Sequence, residues 1–169
     1  MKILIANNLC LLFALFCFNF TLHSQESKSW KFGTGVGFID GVHISISHAI
    51  SKYNEFGFQI GTISYSSINI TALEYKFYLE ESKKRENFMT WYVGNKLLYY
   101  YEKNRSRDFN ELYINTSVGK SFYLSPRFGI NTDLGILYQL YEKQVNSYED
   151  ENNRFRILPS LRLQLYYSF

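Results

Sequence analysis

From Trp30 to the C-terminus the side chains change character at every second residue, and that rhythm limits what the chain can become. Trp30, Phe32, Thr34, Val36 and Phe38 alternate with Lys31, Gly33, Gly35 and Gly37. A period of two belongs to a β-strand, whose successive side chains point to opposite faces; a helix repeats every 3.6 residues. Asp40-Gly41 suits a two-residue type I′ hairpin turn, and Val42, Ile44, Ile46 and Ile50 then resume the pattern against His43, Ser45, Ser47 and Ala49. Comparable segments follow at 55–65, 68–79, 88–101, 111–120, 128–141 and 155–169. The pattern predicts an all-β domain of eight strands, each of roughly ten residues, joined by polar turns.

Composition narrows the class. Fifteen Tyr and fifteen Phe bring aromatics to 19%, which excludes a disordered or collagen-like chain. A net charge of +3, with no block of Lys or Arg, gives no footprint for nucleic acid.

Residues 1–24 read as a secretory signal peptide, leaving 25–169 as the barrel domain. Lys2 supplies the positive start, Leu9 to Phe20 form an apolar run broken by Asn19, and Ser24 offers a small residue for cleavage before Gln25. A run of about 12 residues is shorter than the roughly 20 a transmembrane helix needs. Both cysteines, Cys10 and Cys17, fall in this segment, so the remainder has no disulfide and no thiol-based metal site. Leu9 and Phe16 precede them, where a lipoprotein signal resembles a small residue before Cys.

Alternation alone leaves open which face lies inside. A soluble lipocalin-like barrel buries its apolar face, whereas a membrane barrel turns it toward lipid. One face is rich in glycine (Gly33, Gly35, Gly37, Gly57, Gly61, Gly94, Gly119, Gly129, Gly135), which suits the crowded bore of a narrow barrel. The other face holds about thirty large apolar side chains, too many for an eight-stranded lumen. Strand length also fits the 9–11 residues of a tilted membrane-spanning strand. These features predict an eight-stranded antiparallel up-and-down transmembrane β-barrel.

The last ten residues end on alternating Leu161, Leu163, Leu165 and Tyr167, then a terminal Phe169. This resembles the C-terminal signal by which the barrel assembly machinery recognises bacterial outer-membrane barrels, with Leu163, Leu165, Tyr167 and Phe169 as the signal. Gln164 stands where many such signals carry Gly. With the leader and eight strands, the chain resembles the small OmpA/OmpX-type barrels along nearly its whole length. The resemblance implies residence in the bacterial outer membrane, among its lipid and lipopolysaccharide, with both termini on the periplasmic side.

On this register the lipid face runs through Phe56, Phe58, Ile60; Leu73, Tyr75, Phe77, Leu79; Leu112, Ile114, Val118; and Phe128, Ile130, Leu134, Ile136, Tyr138. Tyr99-Tyr100-Tyr101, Tyr138 with Tyr141, and Tyr166-Tyr167 with Phe169 are expected in aromatic girdles at the interfaces, the alternative being a ligand-binding platform. Turns at 52–54, 81–87 and 124–127 then face the periplasm, and 40–41, 66–67, 102–110 and 142–154 face outward. The last two are the longest and most charged, where an extracellular protein or glycan would bind; equally they are solvated caps, with Lys103, Arg105 and Arg107 near lipopolysaccharide phosphates. Lys31, Glu74, Lys76, Lys96, Glu111, Asp133, Arg156 and Arg162 are expected in the lumen as a polar plug rather than a conducting pore. Pro159 is expected at the outer membrane boundary, because proline cannot donate within a closed ladder.

Catalysis has one candidate. His43, Ser45 and Ser47, with Glu55 downstream, hold a nucleophile and a base, and the pattern resembles the His-x-Ser of an outer-membrane lipid A deacylase. It lies on the second strand rather than late in the chain, and Glu55 falls toward the opposite membrane face. No metal cluster, phosphate loop or cofactor motif stands out. A non-catalytic barrel with an envelope-structural or surface-interaction role is the reading carried forward; a lipid A-modifying enzyme is its alternative.

Overall fold

The computed structural model describes residues 30–63, 68–79, 89–103, 108–145 and 156–169. Its strands are β1 (Trp30–Gly37), β2 (Gly41–Ala49), β3 (Asn54–Ile63), β4 (Ile68–Tyr78), β5 (Met89–Lys103), β6 (Asp108–Tyr123), β7 (Phe128–Val145) and β8 (Ile157–Ser168). Each pairs antiparallel with the next, and β8 returns to β1, so the sheet closes into a barrel. Closure pairs the edges that an open sheet would expose. The end carrying Trp30 and Phe169 is called the base below, and the other end the mouth; Phe169 N donates to Trp30 O at 3.0 Å there.

Residue parity sorts the side chains as the alternation requires. Phe32, Ile44, Phe58, Leu73, Leu97, Val118, Leu134 and Leu163 are exposed on the outside, while Lys76, Lys96, Asp133 and Arg162 are buried inside. Two expected girdle residues turn inward instead. Tyr100 and Tyr166 are buried in the lumen, whereas Tyr99, Tyr141 and Phe169 face out. Clustering at a strand end does not settle orientation; parity does, and adjacent tyrosines must take opposite faces.

The β1–β2 connection is also corrected. Gly37 pairs with Gly41, leaving Phe38, Ile39 and Asp40 as a three-residue loop, and Gly41 has φ of 58°. Glycine tolerates that left-handed conformation, which realigns the chain after a three-residue hairpin loop. Asp40 is thereby aimed into the barrel and buried.

The three strands β5, β6 and β7 run to 15, 16 and 18 residues, past the predicted ends. Part of what reads as loop around 102–110, and the start of 142–154, is therefore strand: Lys103 pairs with Asp108, and Asp108 with Val145. A register shift between Leu112 and Tyr113 interrupts the β6–β7 ladder on its mouth side. The leader 1–24, the turns 66–67 and 81–87, and the tips of both outer connections lie outside the described residues.

Pro159 lies within β8, opposite Ile136. Leu161 O accepts from Phe38 N, so Leu161, and Pro159 two residues earlier, turn their backbone polar groups toward the β1 side. β1 ends at the Gly37–Arg162 pair. The missing proline donor thus falls where β8 has outrun its neighbour and no ladder bond is lost.

Candidate functional site

The interior is built from inward-facing positions of every strand, stacked from base to mouth. At the base, Lys31 of β1 pairs with Glu55 of β3 and sits about 5 Å from the ring centres of Tyr78 and Tyr166. Glu55 also accepts from Ser47 at 2.9 Å, Tyr78 OH at 3.0 Å and Lys76 at 3.2 Å. A buried carboxylate needs several donors, and this one has four.

One level up, Arg162 of β8 reaches Asp133 at 2.6 Å and Glu74 at 2.5 Å, with Gln59 accepting at 3.4 Å. Tyr92 OH donates to Asp133 at 2.9 Å. Lys76 lies 3.4 Å from Glu74, so it joins this level to the Glu55 level below. Space for the Tyr92 ring comes from its cross-strand partner Gly119, where a Cβ would overlap the ring.

Nearer the mouth, Lys96 donates to Asp40 at 2.8 Å. Burial opposes ionisation of Asp40, but the Lys96 ammonium and Arg162 guanidinium outweigh it and hold its pKa below the ordinary value. Around this pair close Ile39, Ile70, Ala72, Leu98, Tyr100, Tyr113 and Leu137, an apolar stopper. Tyr100 OH fastens it by donating to Ile39 O at 3.0 Å. Above the stopper opens a cavity of about 300 Å³ lined by Ile68, Tyr100, Glu102, Glu111, Glu142 and Arg156. Burial raises the pKa of Glu111, opposed by the hydrogen bond from Tyr113 and aided by the nearby Glu142.

The structure thus brings together Lys31, Glu74, Lys76, Lys96, Asp133 and Arg162 from the expected set. Glu111 and Arg156 stand at the mouth instead, 4.0 Å apart, and Arg156 is half exposed. Two carboxylates outside that set join the network: Asp40, read as a turn residue, and Glu55, weighed as a partner for His43 but placed toward the opposite membrane face. Inward parity was the available signal for Glu55. For Asp40 there was none, because its orientation depends on loop length. Among the described residues, the lumen charges below the mouth balance in number: Lys31, Lys76, Lys96 and Arg162 against Asp40, Glu55, Glu74 and Asp133.

The nucleophile-and-base candidate is dispersed. Ser47 donates to Glu55, Ser45 accepts from Gln164 at 2.7 Å, and His43 Nδ1 lies 3.4 Å from Gly41 O. Among the described residues His43 Nε2 meets no hydrogen-bond partner, so neither serine is held against the imidazole. Acyl transfer needs that contact. Among the described residues, no group of three or more His, Asp or Glu side chains could hold a metal ion.

Solved structures of other proteins share this architecture. The N-terminal β-barrel domain of Pseudomonas aeruginosa OprF aligns over 87% of this chain and all of its own, at 16% identity and a TM-score of 0.63. A major outer membrane protein from Thermus thermophilus aligns over 85% of this chain and all of its own, at 13% identity and a TM-score of 0.54. The fold is that of the eight-stranded outer-membrane barrels. A de novo designed transmembrane β-barrel aligns at 12% identity and a TM-score of 0.52, over 88% of this chain and all of the design. No protein-family model matches the sequence, and neither does any curated protein.

Proposed function

We propose that this chain is a non-catalytic integral protein of the bacterial outer membrane, plugged along its bore, with an envelope-structural or surface-interaction role at its mouth. The inversion of its two faces carries the reading. Ordinary soluble proteins hide residues such as Phe58, Leu134 and Leu163 and expose their charges; here those residues are exposed and Arg162 is buried. Only a solvent that is itself apolar makes that arrangement favourable.

In this reading the base faces the periplasm, and the terminal residues Leu163, Leu165, Tyr167 and Phe169 are presented to the barrel assembly machinery. The long strands β5, β6 and β7 extend the wall at the mouth, the side on which an extracellular protein or glycan would bind. The plug supports a structural rather than conducting role, because opposed charges and the apolar stopper occupy the bore.

Carbonate extraction of membranes, combined with electrophoresis of boiled and unboiled samples, tests the reading. A carbonate-resistant protein whose mobility changes on boiling is the expected result. A soluble periplasmic protein would overturn it.

A further inference from the structure

Among the described residues, each lumen cation below the mouth meets a carboxylate, whereas Lys120 on the outer wall of β6 meets none. Lys120 shares its parity with Val118 and pairs with Trp91, both exposed on the outside. Its Nζ lies 4.9 Å from the centre of the Trp91 ring and 5.5 Å from that of Phe122. Phe122 stands nearer the base end of β6 at Tyr123, so the lysine stem reaches toward that end. Thr132, its partner on β7, adds a hydroxyl to the same outward row. No Asp or Glu side chain among the described residues faces outward at the base, where Lys52 and Arg127 are exposed in the turns.

Aromatic rings attract an ammonium through their quadrupoles but do not neutralise it. A cation at the edge of hydrocarbon therefore still calls for an anion, and N–H groups turned away from the rings can donate to one. We infer that Lys120, with Trp91, Phe122 and Thr132, forms a binding site for the phosphodiester headgroup of an anionic glycerophospholipid in the leaflet at the base. The apolar strip beside the site selects a lipid over a free anion. Val118 and its partner Leu134, next along the wall toward the mouth, are exposed and offer the acyl chains a continuous surface. A headgroup that carries its own ammonium would bring a second cation against Lys120, so a net negative lipid is preferred. The inference rests on the membrane reading above.

Fluorescence quenching in liposomes tests it. In Trp30→Phe the remaining tryptophan, Trp91, adjoins Lys120; in Trp91→Phe the remaining one, Trp30 on β1, serves as the reference. The liposomes are phosphatidylcholine with about a tenth of phosphatidylglycerol brominated near the headgroup, and quenching of Trp91 should report roughly fivefold local enrichment of the brominated lipid. Trp30 should report the bulk fraction. Lys120→Gln should return Trp91 to the bulk value, and Lys120→Arg should keep the enrichment. Equal quenching of Trp91 and Trp30, enrichment that survives Lys120→Gln, or enrichment lost to inorganic phosphate at constant ionic strength would overturn the lipid site alone. Absence of quenching at both tryptophans would overturn the membrane reading as well.

Discussion

Arg162 and Glu74 stand on opposite walls of the barrel, on β8 and β4, and their side chains meet 2.5 Å apart across the bore. The bridge crosses the lumen and is buried at both ends. Removing one member strands the others, since Arg162 also serves Asp133 and Gln59. Arg162→Met should therefore destabilise the folded barrel by about 3–5 kcal/mol. Adding Asp133→Leu should recover much of the loss, because three lumen cations then face three carboxylates and Glu74 keeps Lys76. Urea unfolding of the single and the combined variant in lipid vesicles measures both effects.

Orientation of the apolar face gives a second expectation. Leu134, on the outer wall, should respond to Leu134→Arg with a loss of about 2–4 kcal/mol. Leu124, in the base turn, is as exposed but lies at the interface, so Leu124→Arg should cost only about 0–1 kcal/mol. Unfolding midpoints of the two variants compare them directly.

Gly119 leads to a third. Its missing Cβ is what admits the Tyr92 ring, and Tyr92 OH in turn serves Asp133. Gly119→Val should destabilise more than Tyr92→Phe, which loses only one hydrogen bond, worth about 1 kcal/mol. Equal effects in urea unfolding would mean that the ring does not need the glycine.

Acid should act on the Lys96–Asp40 pair in a definite direction. The folded pKa of Asp40 is depressed, so its contribution is fully present above its unfolded value of about 4. It fades as pH falls through the lower folded value. Glu111 has a raised pKa and works oppositely: the folded barrel gains stability as pH falls from the raised folded value toward the unfolded one. Asp40→Asn should therefore flatten the loss of stability at the acid end and leave the opposite trend at higher pH, whereas Glu111→Gln should do the reverse. Unfolding followed across pH separates them.

Strand count and inside–outside parity were legible because period-two alternation survives wherever one face meets lipid and the other the bore. It fades where both faces meet water. That is why the ends of β5, β6 and β7 beyond the band, around Lys103, Asp108 and Val145, read as charged loops. Asp40 was hidden differently: Asp-Gly is compatible with two turn lengths, and only the Gly37–Gly41 pairing selects the longer one. The balanced network was similarly out of reach, since Glu55 meets Lys31 and Lys76 through strand stagger, which spacing along the chain does not encode.

The terminal residue bears on assembly rather than stability. Phe169 is exposed, and its ring lies 6.4 Å from that of Tyr167 on the outer wall. Deleting it, or adding an alanine after it, leaves the lumen network untouched. Both variants should nevertheless reach the membrane in reduced amount and be degraded in the periplasm, as quantitative immunoblots of cell fractions would show.

The two tryptophans offer the most direct test of a lipid-facing exterior. Trp30 and Trp91 are the chain's only ones, both point outward, and both lie at the base. In vesicles their emission should be blue-shifted and quenched strongly by lipids brominated near the headgroup, less by lipids brominated near the chain ends. Water-exposed emission that neither brominated lipid quenches would contradict a membrane-spanning barrel.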